Sequence, residues 1–208
     1  MKFYMTPGSC STGIHILLEE LELVFEVYVM NMLRGDLQQP DYLAINPKGT
    51  IPTLVCNDGQ ALTDYQSIAW WLARSYPKKQ FIPTDLEGEV KTLELMSYAV
   101  NRLHGQGFTR IFTADRYSKN EQEQALIKQQ GKEIVKNGFD IIDKNLTDNE
   151  YLLESFTIAD TALFYNEFWA DRIGVELPTK CRKHYETMLS RPKVRGVLME
   201  EGYSSVFS

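Results

Sequence analysis

The stretch MKFYMTPGSCSTGI, residues 1–14, decides how the rest of the chain is read. Lys2 to Met5 read as a short strand, and Thr6-Pro7-Gly8 break it. Ser9-Cys10-Ser11-Thr12 then lead into Ile14, Leu17, Leu18 and Leu21, apolar at helical spacing. That order places Cys10 where a loop enters the first turn of a helix. Backbone N–H groups there lack intrahelical partners, and the helix dipole favours negative charge. On this ground Cys10 is expected to be more acidic than an ordinary thiol and to be reactive, with Ser9 and Ser11 adding hydroxyl hydrogen bonds. The plain alternative is a small buried filler, the usual fate of a free cysteine.

Working outward, Val24 to Met30 (VFEVYVM) is β-branched and aromatic, a second strand that makes a parallel βαβ unit with the first. Residues 31–47 are mostly loop, with a short helix over Asp41 to Ile45. Thr53 to Cys56 and Gln60 to Leu62 flank Asn57-Asp58-Gly59 as a hairpin. Thr63 or Asp64 caps the next helix, whose face carries Ile68, Trp71, Leu72 and Tyr76 before Pro77 stops it. The fold class read from this order is α/β followed by all-α. Residues 1–78 form an α/β domain, 79–87 a proline-containing linker and 88–208 a helical domain. In the latter, Val90 to Phe112 reads as a helix kinked at Gly105 and Gly107, and Glu121 to Leu146 as a long amphipathic helix. Thr157-Ile158-Ala159-Asp160 opens a further helix with a capping box, and Lys180 to Leu189 and Pro192 to Met199 complete the set.

Composition narrows the partners. The net charge is −6 with no basic block, so neither nucleic acid nor an acidic membrane is expected. No apolar run approaches the roughly 18 residues that a membrane helix needs. The opening MKFYMTPG lacks the pattern of a signal peptide. Cys10, Cys56 and Cys181 are odd in number and widely spaced, which is neither a disulfide framework nor a zinc pattern. A cytoplasmic location and no metal are expected. His15, His104 and His184 also lack ligand spacing.

Taken together the motifs resemble a cytosolic glutathione transferase, and more narrowly the bacterial beta class. Tyr4, Thr6-Pro7-Gly8 and Cys10-Ser11 are similar to that class's opening, with His15-Ile16 following. Asn46-Pro47-Lys48-Gly49 with Ile51-Pro52 resembles the family's Asn-Pro-x-Gly-x-[VI]-Pro signature. Thr157-Ile158-Ala159-Asp160 resembles its capping motif, and Leu103-His104 with Phe108 and Phe112 its Leu-His segment. Trp169, Tyr185, Met188, Arg191-Pro192, Val194 and Glu201-Gly202 look like its C-terminal pattern.

The resemblance implies a thioredoxin-like first domain, a helical second domain, a homodimer and a cis bond before Pro52. It implies that glutathione, as co-substrate, lies along the backbone of Ile51 like an added strand. Asp64 would then meet the α-ammonium of glutathione. The family's following serine, which holds the γ-glutamyl carboxylate, is here Tyr65. Backbone N–H groups of Tyr65 and Gln66 could hold that carboxylate instead. Arg34 or Lys48 is matched to the glycine-end carboxylate. Cys10 would lie beside the glutathione sulfur, donating a hydrogen bond or forming a mixed disulfide, with Ser11 or Tyr4 as a second hydroxyl. His104 would shuttle a proton or polarise the electrophile. Phe108, Phe112 and Trp169 would line a pocket for a small hydrophobic electrophile, although aromatic residues at helical spacing are by default core.

The implied activity is detoxifying conjugation of glutathione to small apolar electrophiles. Two alternatives stand beside it. Monothiol disulfide exchange through Cys10 is one; Cys10-Ser11-Thr12-Gly13 offers no resolving cysteine. A noncatalytic glutathione- or partner-binding module is the other, favoured by Tyr65. Thr157 and Asp160 are read as folding residues, Cys56 and Cys181 as fillers, and His15 and His184 as packing or surface residues.

Overall fold

A computed structural model describes every residue except Asp148 and Ser208, so the last residue of the helical segment expected over 88–208 lies outside the described residues. The chain gathers into two compact units: Met1–Ile82 together with the segment from Leu189 onward, and Pro83–Met188. A division by chain order runs the helical segment to its end; the structure instead counts the stretch after Met188 with the first unit. The physical reason is the packing of the helix that starts at Pro192 along the first helix.

In the first unit β1 (Lys2–Met5) leads through the Pro7-Gly8 turn into α1 (Ser11–Glu20), then β2 (Glu26–Val29). Two single 3₁₀ turns precede α2 (Pro40–Ile45), followed by β3 (Thr53–Val55), β4 (Ala61–Leu62) and α3 (Tyr65–Ser75). The four-stranded sheet has the order β2-β1-β3-β4, with β1 parallel to β2 and antiparallel to β3. This is the mixed sheet expected of a thioredoxin-like domain. The hairpin forms where Asn57-Asp58-Gly59 placed it, Cys56 N–H donating to the Gln60 carbonyl at 2.8 Å. Phe3, Ile14, Ile16, Leu17, Leu18, Leu54, Ile68, Ala69 and Leu72 make the core, all 0 % exposed. β2 is an edge strand exposed along its whole length; VFEVYVM has the composition of a strand but not the burial of a central one.

The final helix, α9 (Pro192–Glu200), packs along α1. Arg191 Nε and Nη2 each reach Glu20 Oε1 at 2.8 Å, and Lys193 Nζ lies 3.7 Å from Glu19 Oε2. These pairs join the start of α9 to the end of α1, so the two helices run antiparallel.

The second unit begins with α4 (Leu86–Tyr98), which continues without a break through a π-wound stretch, Ala99–Phe108, into α5 (Thr109–Phe112). The expected kink at Gly105 and Gly107 is thus a change of winding that absorbs extra residues per turn. Gly107 is required by contact: a Cβ there would meet Val135 at 2.5 Å. Next come α6 (Glu121–Asn145), α7 (Ile158–Arg172) and α8 (Thr179–Ser190), the last turn of which runs into the first unit. α7 is the spine, buried from Ile158 to Ala170. No helix among the described residues is long and apolar enough to cross a membrane.

The capping box on α7 forms as expected, Thr157 N–H donating to Asp160 Oδ2 at 2.6 Å and Ala159 N–H to Thr157 Oγ1 at 3.3 Å. Capping does not account for all that Asp160 does, however. Its Oδ1 also accepts from Leu152 N–H at 2.8 Å and from His184 Nε2 at 3.1 Å. His184 Nδ1 meets Glu167 Oε2 at 2.8 Å, so an imidazole expected to be a packing or surface residue is a fully buried bridge between two carboxylates. Those carboxylates raise its pKa well above the ordinary histidine range despite burial, while burial raises the Glu167 carboxyl. Cys181, expected as a filler, is one: 0 % exposed, with its thiol pKa raised by burial.

Candidate functional site

Cys10 is the N-cap residue of α1, at φ −57° and ψ −22°, and its side chain makes no capping bond. Its Sγ–H donates instead to the Ile51 carbonyl at 3.7 Å, and the residue is only 7 % exposed. Burial pushes the thiol up to about 12, outweighing the lowering by the backbone N–H groups of Cys10 and Ser11; the Asp64 charge raises it further. The expectation of an acidic, reactive thiol is therefore corrected. A helix N-terminus helps an exposed thiolate, but desolvation of a buried one costs more.

Across the turn from Cys10, the Ile51–Pro52 bond is cis, as the resemblance implied. Ile51 lies outside the strands, and its N–H has no hydrogen-bond partner among the described residues. Pro52 is buried behind it, held in a loop that Asn46 and Tyr42 organise. Asn46 Nδ2 donates to the Thr50 carbonyl at 2.8 Å and to Thr53 Oγ1 at 3.0 Å; Tyr42 OH donates to the same carbonyl at 2.5 Å. The Asn-Pro-x-Gly motif thus fixes the loop that presents Ile51.

Asp64 occupies the N-cap position of α3 with its carboxylate making no capping bond, and 65 % of the side chain is exposed. A carboxylate released from capping at a helix start is free to meet a ligand cation. Lys48 Nζ stands 4.0 Å from Asp64 Oδ2. Tyr65, by contrast, is 3 % exposed, packed into the unit at the start of α3. Tyr4 is stacked on Tyr28 at 4.8 Å and tilted against Tyr42 at 5.5 Å, which makes it part of an aromatic layer on the sheet. Ser11 is 0 % exposed and its hydroxyl has no partner among the described residues. Arg34 ends an exposed 3₁₀ turn, Met32–Arg34, and no carboxylate pairs with it among the described residues.

In the second unit the π-wound stretch, α5 and α7 bring His104, Phe108, Phe112 and Trp169 into one cluster. Phe108 stacks on Phe112 at 5.6 Å, and the Trp169 ring stands edge-on to both at 5.2 and 5.4 Å. His104 meets Trp169 at 4.9 Å. Phe112 is the open member, 48 % exposed, whereas Phe108 is fully buried. Sequence reasoning missed Tyr165, whose OH lies 3.2 Å from His104 Nδ1. Its position one helical turn before Trp169 was the available signal.

Burial pushes His104 down to about 4, so the imidazole is neutral at physiological pH. It can accept a proton or donate one hydrogen bond there, but it is not a standing acid. Proton NMR of the imidazole C–H signals is expected to show His104 titrating near pH 4 and unchanged between pH 6 and 9. A midpoint above 6 would remove the neutral assignment.

Comparisons with known proteins identify the lineage. Residues 8–75 match the family model described as glutathione S-transferase, N-terminal domain. The chain is 32 % identical to glutathione S-transferase GstA of Escherichia coli O157:H7 over 209 residues, covering 97 % of this chain and 99 % of that one. A glutathione transferase homologue from Sulfitobacter, solved with bound glutathione, superposes with a TM-score of 0.87 at 27 % identity, covering 97 % of this chain and 98 % of that one. The bacterial beta class enzyme of Sphingomonas chungbukensis gives 0.83 at 26 % identity, covering 98 % and 100 %. A relative this similar over nearly its whole length settles the matter: the chain belongs to the glutathione S-transferase family of enzymes.

Proposed function

We propose that the chain binds reduced glutathione on its first unit and conjugates it to small apolar electrophiles, with Cys10 as a neutral hydrogen-bond donor to the glutathione sulfur. The observation that carries this is the pairing of Cys10 with Ile51. The thiol sits 3.7 Å from the Ile51 carbonyl, beside an N–H that has no partner among the described residues. An extended peptide bonded to that backbone brings its own cysteine sulfur to the Cys10 thiol.

Asp64 then meets the α-ammonium. Because Lys48 lies at 4.0 Å from Asp64, we place it at the same end, against the γ-glutamyl carboxylate, with the N–H groups at the start of α3. The two opposite charges match a zwitterion, which is one way to replace the missing serine hydroxyl. Arg34 is left for the glycine carboxylate. Tyr4 belongs to the aromatic layer on the sheet, and the aromatic cluster with its neutral His104 takes the electrophile.

In the reaction, the sulfur bound as thiolate attacks the electrophilic carbon and the leaving group departs with the bonding pair. A Cys10 S–H held protonated stabilises the anionic sulfur by donating to it, and holding both reactants lowers the entropic cost of encounter. The same protonation weighs against disulfide exchange through Cys10, which needs a thiolate. The reading carries with it the homodimer, the cytoplasmic location and the detoxifying role implied by the resemblance. Three unpaired cysteines suit a reducing compartment.

The test is calorimetry with reduced glutathione, followed by turnover of a chlorinated aromatic electrophile and of a mixed disulfide by wild type and Cys10→Ala. Binding is expected, with conjugation reduced about tenfold in Cys10→Ala by loss of one hydrogen bond to a charged sulfur. Disulfide turnover abolished by the substitution while conjugation is untouched would transfer the assignment to exchange. No heat of binding at millimolar glutathione would end it.

A further inference from the structure

The Cys10 turn is held from an unexpected direction. Glu201, just past the end of α9, has a side chain only 2 % exposed. Its Oε2 accepts from Gly8 N–H at 2.7 Å and from Thr12 Oγ1–H, also at 2.7 Å. Its Oε1 takes a bond from His15 Nδ1 at 2.9 Å. Gly8 and Thr12 stand two residues before and two after Cys10, so one carboxylate oxygen closes across the turn like a staple. The His15 bond anchors the other oxygen one helical turn further along α1.

Two more contacts point the same way. Tyr203 OH donates to the Pro7 carbonyl at 3.4 Å, and its ring fills the space beside Gly8: a Cβ there would meet Tyr203 OH at 2.1 Å. Gly8 is also at φ +70°, which only glycine adopts without strain. The Arg191–Glu20 and Lys193–Glu19 pairs fix the far end of α9, so Glu201 is delivered by a helix clamped at both ends. A buried carboxylate is costly unless its oxygens are fully used. Here they are used on the residues that bracket the thiol.

We propose that Glu201 is a positioning residue for Cys10: by stapling Gly8 to Thr12 it sets how far the thiol is withdrawn from solvent and where it is presented. The chain's C-terminal segment thereby tunes a thiol at its N-terminus. This deepens the reading of Cys10 as the residue beside the glutathione sulfur and rests on it for the kinetic arm only.

The test follows alkylation of Cys10 by iodoacetamide, resolved by peptide mass spectrometry, as a function of pH and without glutathione. Glu201→Ala is expected to alkylate about tenfold faster at pH 8, with the rate profile moved to lower pH, because a loosened turn exposes the thiol. Glu201→Gln keeps the length and can still accept from Gly8 and Thr12, so a rate within about threefold of wild type is expected. Glu201→Ala that keeps its helical circular dichroism and alkylates at the wild-type rate overturns the proposal. Should Glu201→Ala fail to fold, Thr12→Ala carries the test, because it removes one leg of the staple. A rate about threefold above wild type supports the staple, and an unchanged rate overturns it.

The kinetic arm measures KM for glutathione against kcat. A rise of about tenfold in KM for Glu201→Ala, with kcat nearly constant, is the mark of misplaced binding rather than of general damage. If wild type neither binds nor turns over glutathione, the functional reading fails, while the alkylation rates still decide the role of Glu201.

Discussion

Replacing Asp160 by alanine is expected to cost about 3–5 kcal/mol of stability, the range for breaking a buried ion pair by removing one partner. The carboxylate is 0 % exposed. It accepts from Thr157 N–H at 2.6 Å, Thr157 Oγ1–H at 2.8 Å, Leu152 N–H at 2.8 Å and His184 Nε2 at 3.1 Å. Truncation orphans donors in the turn before α7 and leaves the buried imidazolium with Glu167 alone. For a chain of this size the loss corresponds to a fall in the melting midpoint of about 10 °C. Thr157→Ala, which removes a cap hydroxyl but no charge, should cost only about 1 kcal/mol. Urea denaturation of the two variants is the measurement, and a loss below that of Thr157→Ala would refute the shared role of Asp160.

The bridge also fixes the sign of a pH dependence. His184 has its folded pKa raised by Glu167 and Asp160. The groups facing it are those two carboxylates, both on α7. Below the ordinary histidine range both folded and unfolded chains hold the proton, and the stabilisation is fully present. As pH rises past that range only the folded chain keeps it, so stability falls until the raised folded value is passed. In Asp160→Ala this alkaline decline should be shallower.

Asp64→Ala is expected to weaken glutathione binding about tenfold, with kcat changed far less, since the ammonium contact serves ground state and transition state alike. The magnitude is held down by exposure: 65 % of the side chain is in water, where ionic strength screens it. Lys48→Ala should lose about threefold for the same reason. Titration calorimetry at low and high salt separates the contributions, because both losses shrink as salt rises. Unchanged affinity in Asp64→Ala would withdraw the γ-glutamyl end from this corner of α3.

Local chemistry carried a reader of the sequence far. Thr6-Pro7-Gly8 ends β1 where a break was expected, Asn57-Asp58-Gly59 turns the hairpin, and Thr157 with Asp160 caps α7. Each signal lies within a few residues of its effect. What escaped the sequence concerns burial or distance. The acidity expected for Cys10 followed from its helix position, but desolvation depends on what the rest of the fold lays over it. Glu167 sits in an apolar run, and nothing local shows that it faces a histidine 17 residues on. Glu201 reaches Gly8 across 193 residues. A charge buried against a partner that far away leaves no periodic trace.

The antiparallel clasp of α9 on α1 has a consequence for how the protein is made. Domains emerging from the ribosome generally fold in the order of synthesis, amino-terminal first. Here the sheet-bearing unit lacks its closing helix until the codons for α9 are read, so the helical unit encoded in between has all its residues sooner. The cysteine turn, translated before the helical unit, reaches its finished form only once Glu201 has followed it.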